Sequence, residues 1–155
     1  MPKVLVTGMS GTGKSTALGL LSLRGHPTVD TDSDRWSHWV TVPDETPDWV
    51  WREDAITKLL AEHTQGSLFV AGCRSNQGKF YPQFDHIALL SAPASVLLAR
   101  IADRSDNPYG KRPDERELIL KYIDLIEPQL RATATIEIDA TAPIDEVVDR
   151  LEELA

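Results

Sequence analysis

The sequence predicts an α/β domain of three layers, a five-stranded parallel sheet between two layers of helices. Three observations carry that prediction. Short strand-like runs alternate with helical periodicities along the chain, the runs at 67–71 and 86–90 are apolar without alternation, and a glycine-rich turn joins the first strand to the first helix. Unbroken apolar strands are buried on both faces, as in a parallel sheet covered by helices. With 155 residues, 41% of them hydrophobic, the chain suffices for one packed domain and not for two, so 1–155 is taken as a single domain.

The β-branched run Lys3–Thr7 is the first strand, and residues 15–23 repeat Leu18 and Leu21 at helical spacing. Thr28–Asp30, after Pro27, is the second strand. Trp36, Trp39 and Val40 then predict a short helix facing something apolar, and all four tryptophans lie between 36 and 51. Residues 43–48 read as a loop, with Asp48 capping a helix through about 63 whose inner face is Ile56, Leu59 and Leu60. Gly66 ends it. Strands three and four are 67–71 and 86–90, separated by a polar loop at 73–84. Helices follow at Ala94–Asp103 (Val96, Leu97 and Ile101 inward) and at 113–130 (Ile119, Ile123 and Ile126 inward), with Asp106-Asn107-Pro108-Tyr109-Gly110 breaking the chain between them. A strand at 135–138 and an amphipathic helix at 143–154 complete the alternation.

Charge and composition narrow the function classes. Sixteen Lys and Arg against 24 Asp and Glu give a net charge of −8, a field that repels phosphate backbones and anionic lipid. Neither a nucleic-acid nor a membrane partner is expected. Cys73 stands alone, which excludes an internal disulfide or a thiolate zinc cluster. No stretch approaches the roughly 18 apolar residues of a membrane span, and the expected location is the cytoplasm. Monomer and homodimer both remain open.

Ligands of such sheets sit beyond the carboxyl ends of the strands, which directs attention to the residues after 7, 30, 71 and 90. There Gly8-Met9-Ser10-Gly11-Thr12-Gly13-Lys14-Ser15 satisfies G-x-x-x-x-G-K-[ST] between a strand and a helix. Backbone N–H groups of such a loop wrap a phosphate, and the helix that opens behind it adds its positive end. Lys14 supplies charge for the outer phosphates, and Ser15 offers a hard oxygen to Mg²⁺. Thr16 continues the nucleotide-binding set. A guanine-reading Asn-Lys-x-Asp is absent, and no strand ends in the Asp-Glu of large ATPase machines.

The loop at 8–15, the acids in Val29-Asp30-Thr31-Asp32, an arginine-bearing segment after the fourth strand and Ile138-Asp139-Ala140-Thr141-Ala142-Pro143 together resemble the small P-loop kinases. These are the nucleoside monophosphate kinase and shikimate kinase group, often described as AAA-family ATPase-like. The resemblance implies a P-loop NTPase core, ATP with Mg²⁺, an acceptor-binding region at about 34–63 and a short lid at about 104–113. Asp30 falls where shikimate kinases hold Mg²⁺, and Asp32 where the acceptor-binding acid lies. Two residues apart on an extended segment, these acids share a face, and Asp34 continues the alternation. Such acids also cap helices. Arg52 matches an acceptor-binding arginine that follows an aromatic residue, or else is a solvated helix charge. The tryptophans form either a stacking wall for a base or an apolar stripe.

Departures from the shikimate kinases are visible as well. Gly72 is followed by Cys73 and Arg74 where they have a run of glycines, and Ile126-Glu127-Pro128 carries a glutamate where they carry an arginine. A polar loop with Arg74, Asn76, Gln77 and Lys79 is the expected reader of the acceptor. The lid set is Arg100, Arg104, Asn107, Tyr109, Gly110, Lys111 and Arg112, with Arg104 the match to the family's lid arginine and Pro143 placed beside the adenine. The resulting expectation is a kinase in which Lys14, Asp32 and Arg104 are catalytic and Ser15 and Asp30 hold the metal. Its small-molecule acceptor is first a nucleotide or nucleoside, as in adenylate kinases. Shikimate- or gluconate-type hydroxyl acceptors are one alternative, and an ATPase or nucleotide sensor without an acceptor is another.

Overall fold

The computed structural model describes residues 2–41, 43, 46–104 and 111–155. Five strands form one sheet: β1 (Lys3–Thr7), β2 (Thr28–Asp30), β5 (Leu68–Ala71), β6 (His86–Ser91) and β7 (Ile136–Asp139). Their order is β2-β5-β1-β6-β7 and every pairing is parallel. Helices α1 (Lys14–Leu23), α2 (Glu53–Glu62), α3 (Ala94–Asp103), α4 (Pro113–Thr133) and α5 (Ile144–Glu152) provide the crossovers and the two outer layers. The three-layer fold with a central five-stranded sheet is thus the one that the alternation of elements predicts.

Each strand divides its side chains between two cores, because successive residues point to opposite faces. Val4, Val6, Phe69, Ala71, Ala88, Leu90 and Ile138 pack with Leu18 and Leu21 of α1, Leu97 and Ile101 of α3, and Val147, Val148 and Leu151 of α5. Leu5, Leu68, Val70 and Ile87 face Trp51, Ile56, Leu60, Phe80 and Phe84 on the other side.

The segment 36–51 departs from the expected helix. It is an antiparallel hairpin of β3 (Ser37–Val40) and β4 (Asp48–Trp51), with Ser37 opposite Trp51 and Trp39 opposite Trp49. The spacing of Trp36, Trp39 and Val40 imitates one helical turn, but aromatic and β-branched residues favour a pleated ribbon, and cross-strand pairing with Trp49-Val50-Trp51 decides it. Trp39 and Trp49 meet with ring centroids 5.2 Å apart. Because β4 occupies 48–51, α2 starts at Glu53 with Arg52 as its N-cap, and Asp48 accepts a hydrogen bond from Ser75 Oγ (2.6 Å) instead of capping a helix. The polar loop also carries unanticipated order, a 3-10 helix at Gln77–Gln83.

Candidate active site

The turn after β1 is set by backbone geometry. Gly8 has φ +150°, and a Cβ there would lie 2.5 Å from the Leu90 carbonyl oxygen of β6. Gly11, at φ +88°, leaves room for the Leu97 carbonyl oxygen of α3. A side chain at Gly8 would push the loop off the sheet, and one at Gly11 would crowd α3. Thr12 is buried and donates from Oγ1 to the Met9 carbonyl (2.9 Å), which closes the turn, and Gly13 leads into α1. Arg100 braces the loop from outside by donating to the carbonyls of Gly11 (3.3 Å) and Ala140 (2.6 Å). This strut ties the loop to α3 and to the end of β7. Arg100, expected in the lid, is therefore a scaffold residue.

Lys14 donates from Nζ to the carbonyls of Gly8 (2.7 Å) and Met9 (3.1 Å), folded along the loop that it follows. Burial pushes its ammonium below the ordinary lysine range. The field of Cys73 opposes that shift, and nearby Arg74 adds to it. Phosphate oxygens seated in the turn would replace these carbonyls and favour the charged form.

Beside the loop, Ser15 donates to Asp30 Oδ2 at 2.7 Å, which brings the two proposed metal ligands into contact. Asp30 Oδ1 accepts from the Asp32 N–H (3.1 Å), so the acid at the end of β2 also orders the next turn. Among the described residues, no three His, Cys, Asp or Glu side chains converge as a self-sufficient metal site. A hydroxyl and one carboxylate fit Mg²⁺, a cation that usually keeps water and takes the rest of its ligands from substrate phosphates.

Asp32 Oδ1 is gripped by Arg74 Nη2 at 2.6 Å, while Arg74 Nε is buried without a hydrogen-bond partner among the described residues. Arg74 thus has Nη2 tied to the acid, Nη1 on the Cys73 carbonyl (3.3 Å) and Nε left open. Asp34 enters the site through its backbone carbonyl, which accepts from Arg52 Nε (2.8 Å). Arg52 also donates its N–H to the Trp36 carbonyl (2.6 Å), so it fastens the hairpin to the segment after β2.

Asn76 and Gln77 depart from the expectation that they read the acceptor. Asn76 pairs with both the N–H and the carbonyl of Trp51 (3.1 and 3.0 Å) and also donates to Glu53. Gln77, 2% exposed, accepts from the Arg74 N–H and donates to Thr7 and Tyr81. Their amides are committed to holding the loop against β4 and β1. Trp51 is fully buried and donates from Nε1 to Thr31 Oγ1 (2.8 Å), which in turn donates to the Ala71 carbonyl (2.7 Å). That position suits the core and not a base-stacking wall.

The Thr31–Trp51 contact leaves Gly72 no room, since a Cβ there would overlap Thr31 Oγ1 and press on the Trp51 indole. Gly72→Ala is expected to destabilise the fold by about 2 kcal/mol, the usual scale of overpacking. Urea unfolding that left the midpoint unchanged would contradict this packing.

Arg104 follows α3 as its C-cap and is half-buried. Pro143 is the N-cap of α5, and Ile144 lies 3.9 Å from where a Cβ on Gly13 would be, so the 141–143 turn adjoins the loop. Ser10, Ser15 and Thr16 are exposed around its mouth, and Met9 packs on the core beneath. Arg112 caps α4 and pairs with Asp114 (3.1 Å). Lys111 is exposed just before α4, and the other members of the expected lid, Asn107, Tyr109 and Gly110, lie outside the described residues. Thr31 is the structural member of the site that motif reading passes over, and Arg100 is one to which it gives a different role. Their cue is position alone, one following the end of a strand and the other in the last turn of a helix.

Residues 4–121, more than half of the chain, match the AAA domain family. Similar solved structures include a shikimate kinase from Acinetobacter baumannii in complex with shikimate, at 14% identity and TM-score 0.69, covering 99% of this chain and 92% of that one. A shikimate kinase from Bacteroides thetaiotaomicron has 18% identity and TM-score 0.66 over 99% and 97% of the two chains. A gluconokinase from Sinorhizobium meliloti 1021 has 18% identity and TM-score 0.64 over 99% and 91%. No curated protein sequence matches the chain. At these identities the structural likeness establishes the fold. No helix among the described residues is long and apolar enough to cross a membrane.

Proposed function

The chain belongs to the AAA domain family, and from that premise we propose that it is an ATP- and Mg²⁺-dependent kinase that phosphorylates a hydroxyl group of a small metabolite. One observation carries the reading: Lys14, Ser15, Asp30, Asp32 and Arg74 converge beyond the carboxyl ends of β1, β2 and β5. The expectation of a nucleotide or nucleoside acceptor gives way to its alternative. Trp51 is in the core, and the similar structures are named for shikimate and gluconate kinases.

In this mechanism the loop N–H groups and Lys14 hold the triphosphate of ATP, while Ser15 and Asp30 would hold Mg²⁺, which would supply charge neutralisation at the phosphate oxygens. The acceptor displaces Arg74 from Asp32 and receives the open Nε of that arginine. Asp32 accepts the proton of the acceptor hydroxyl. The hydroxyl oxygen bonds to the γ-phosphorus as the bond to the β–γ bridging oxygen breaks, and ADP leaves with that electron pair. Arg104 and neighbouring cations after α3 offset charge on the transferring group.

The test is ADP release from Mg-ATP with and without a panel of hydroxy acids, polyols, sugars and nucleosides. Stimulation by a hydroxyl compound is expected, whereas steady release unaffected by every compound would replace the kinase with an ATPase.

Lys14 adds a pH signature. Phosphate favours its charged form, so nucleotide binding raises a pKa that burial has lowered in the free protein. Above the second ionisation of the ADP phosphate, near about pH 6, affinity for ADP is therefore expected to stay level and then to fall as pH rises through the lowered value, before the ordinary lysine range near about 10.4 is reached. Calorimetric titration across that interval checks it, and affinity that declines only within the ordinary range would contradict it.

A further inference from the structure

Residues 72–76 carry Arg74 from the end of β5 to Asp32 without forming strand or helix. The segment is pinned at both ends. The Gly72 N–H donates to the Val6 carbonyl of β1 (3.1 Å), and the Asn76 amide pairs with the backbone of Trp51. Arg74 lies between these pins. An arginine grips well only where its backbone is fixed, because each freedom left to a long side chain has to be lost on binding.

Gln77 supplies the missing hold. It is buried, its Oε1 accepts from the Arg74 N–H (2.9 Å), and its own N–H donates to the Arg74 carbonyl (3.3 Å), so both backbone groups of Arg74 close on one residue. Only an oxygen can accept the Arg74 N–H, which fixes the orientation of the amide. Nε2 is thereby turned toward Thr7 Oγ1 (3.1 Å) and the Tyr81 hydroxyl (3.1 Å).

Support runs one way along this chain of bonds. Thr7 is fully buried and paired with Leu89 across β1 and β6, and the phosphate loop that follows it is braced by its own glycines, Thr12 and Arg100. The Arg74 segment has no ladder of its own. The amide therefore lends the frame of β1 to Arg74, and not the reverse.

We propose that Gln77 is a positioning residue of the acceptor site: it anchors the Arg74 backbone to β1, so that the guanidinium released by Asp32 stays within reach of the incoming acceptor. This goes beyond, and rests on, the reading of the chain as a hydroxyl kinase. Gln77 touches no reacting atom and acts through Arg74. Its loss weakens a contact made to the acceptor before and during transfer alike, which raises KM and spares kcat.

The experiment follows the heteronuclear NMR signal of the Arg74 Nε–H in the whole chain, assigned by its loss in Arg74→Met. In the wild type its Overhauser enhancement is expected to match that of the β1 amides. In Gln77→Met, which keeps the side-chain length and removes its hydrogen bonds, it is expected to fall to the level of Arg112, whose side chain is 75% exposed. With Mg-ATP and an acceptor that stimulates ADP release, Gln77→Met is expected to raise the acceptor KM about tenfold, with kcat and the Kd for Mg-ADP within about threefold. In an Arg74→Met background the same change is expected to move KM by less than about threefold, since the anchor has nothing left to hold. Tyr81→Phe is the packing control: it removes one bond to Gln77, keeps the Thr7–Gln77–Arg74 link, and is expected to leave the signal and KM as they are. Should Gln77→Met fail to melt cooperatively, Thr7→Val cuts the link from its other end and is read in the same way. An Arg74 signal unchanged by the cut, a KM loss as large without Arg74 as with it, or an equal loss of Mg-ADP affinity would overturn the proposal. If no compound stimulates release, the kinase reading falls, and the NMR comparison still decides whether Gln77 anchors Arg74.

Discussion

Lys14→Ala is expected to lower ATP-dependent turnover by about 10²- to 10³-fold or more while the protein stays folded, because the residue serves phosphate and not packing. In the free protein, among the described residues, its ammonium bonds only to the Gly8 and Met9 carbonyls of its own loop, and burial already disfavours its charge. The turn itself is held by its glycines, by Thr12 and by the Arg100 strut, none of which needs Lys14. Urea unfolding is therefore expected to change by no more than about 1 kcal/mol. Steady-state ADP release checks the rate, and near-normal turnover would remove Lys14 from the chemistry.

Asp32→Asn is expected to reduce the acceptor-dependent rate by about 10²-fold with ATP affinity preserved, since an amide cannot take the hydroxyl proton. Asp32 sits across from the loop, tied to Arg74, and its side chain makes no bond to Lys14 or Ser15. The matched control is Asp34→Asn, expected to have little effect because Asp34 engages Arg52 through its carbonyl. Comparing kcat for the acceptor with the Kd for ATP in both variants decides the assignment. A large loss in the Asp34 variant and none in the Asp32 variant would move the base to Asp34.

The phosphate loop and the five strands were legible in sequence for a shared reason. Both are set by local constraints: glycines where the chain nears Leu90 and Leu97, and, in β1, β5 and β6, apolar runs buried on two faces. The hairpin at 37–51 was not legible, because β3 and β4 are stabilised by each other and not by propensity within either segment. The polar groups behaved similarly. Ser15 and Asp30 could be paired from motif and strand position, yet Asn76 and Gln77 read as ligand-facing amides until Trp51, Thr7 and Tyr81 were seen to occupy them. Arg100 bears the same lesson, since a cation near a phosphate loop can bind two carbonyls and no phosphate at all. Glu127 stood out in sequence as a glutamate before a proline. Only the fold shows that it lines a cavity at the ends of β6 and β7.

The central claim is that the terminal phosphoryl group of ATP passes from the Lys14 loop to a hydroxyl of a second compound. Phosphorus NMR of the protein incubated with Mg-ATP and the acceptor that stimulates ADP release measures it most directly. The expected spectrum gains ADP and a phosphomonoester resonance in equal amounts; ADP matched only by inorganic phosphate would contradict the account.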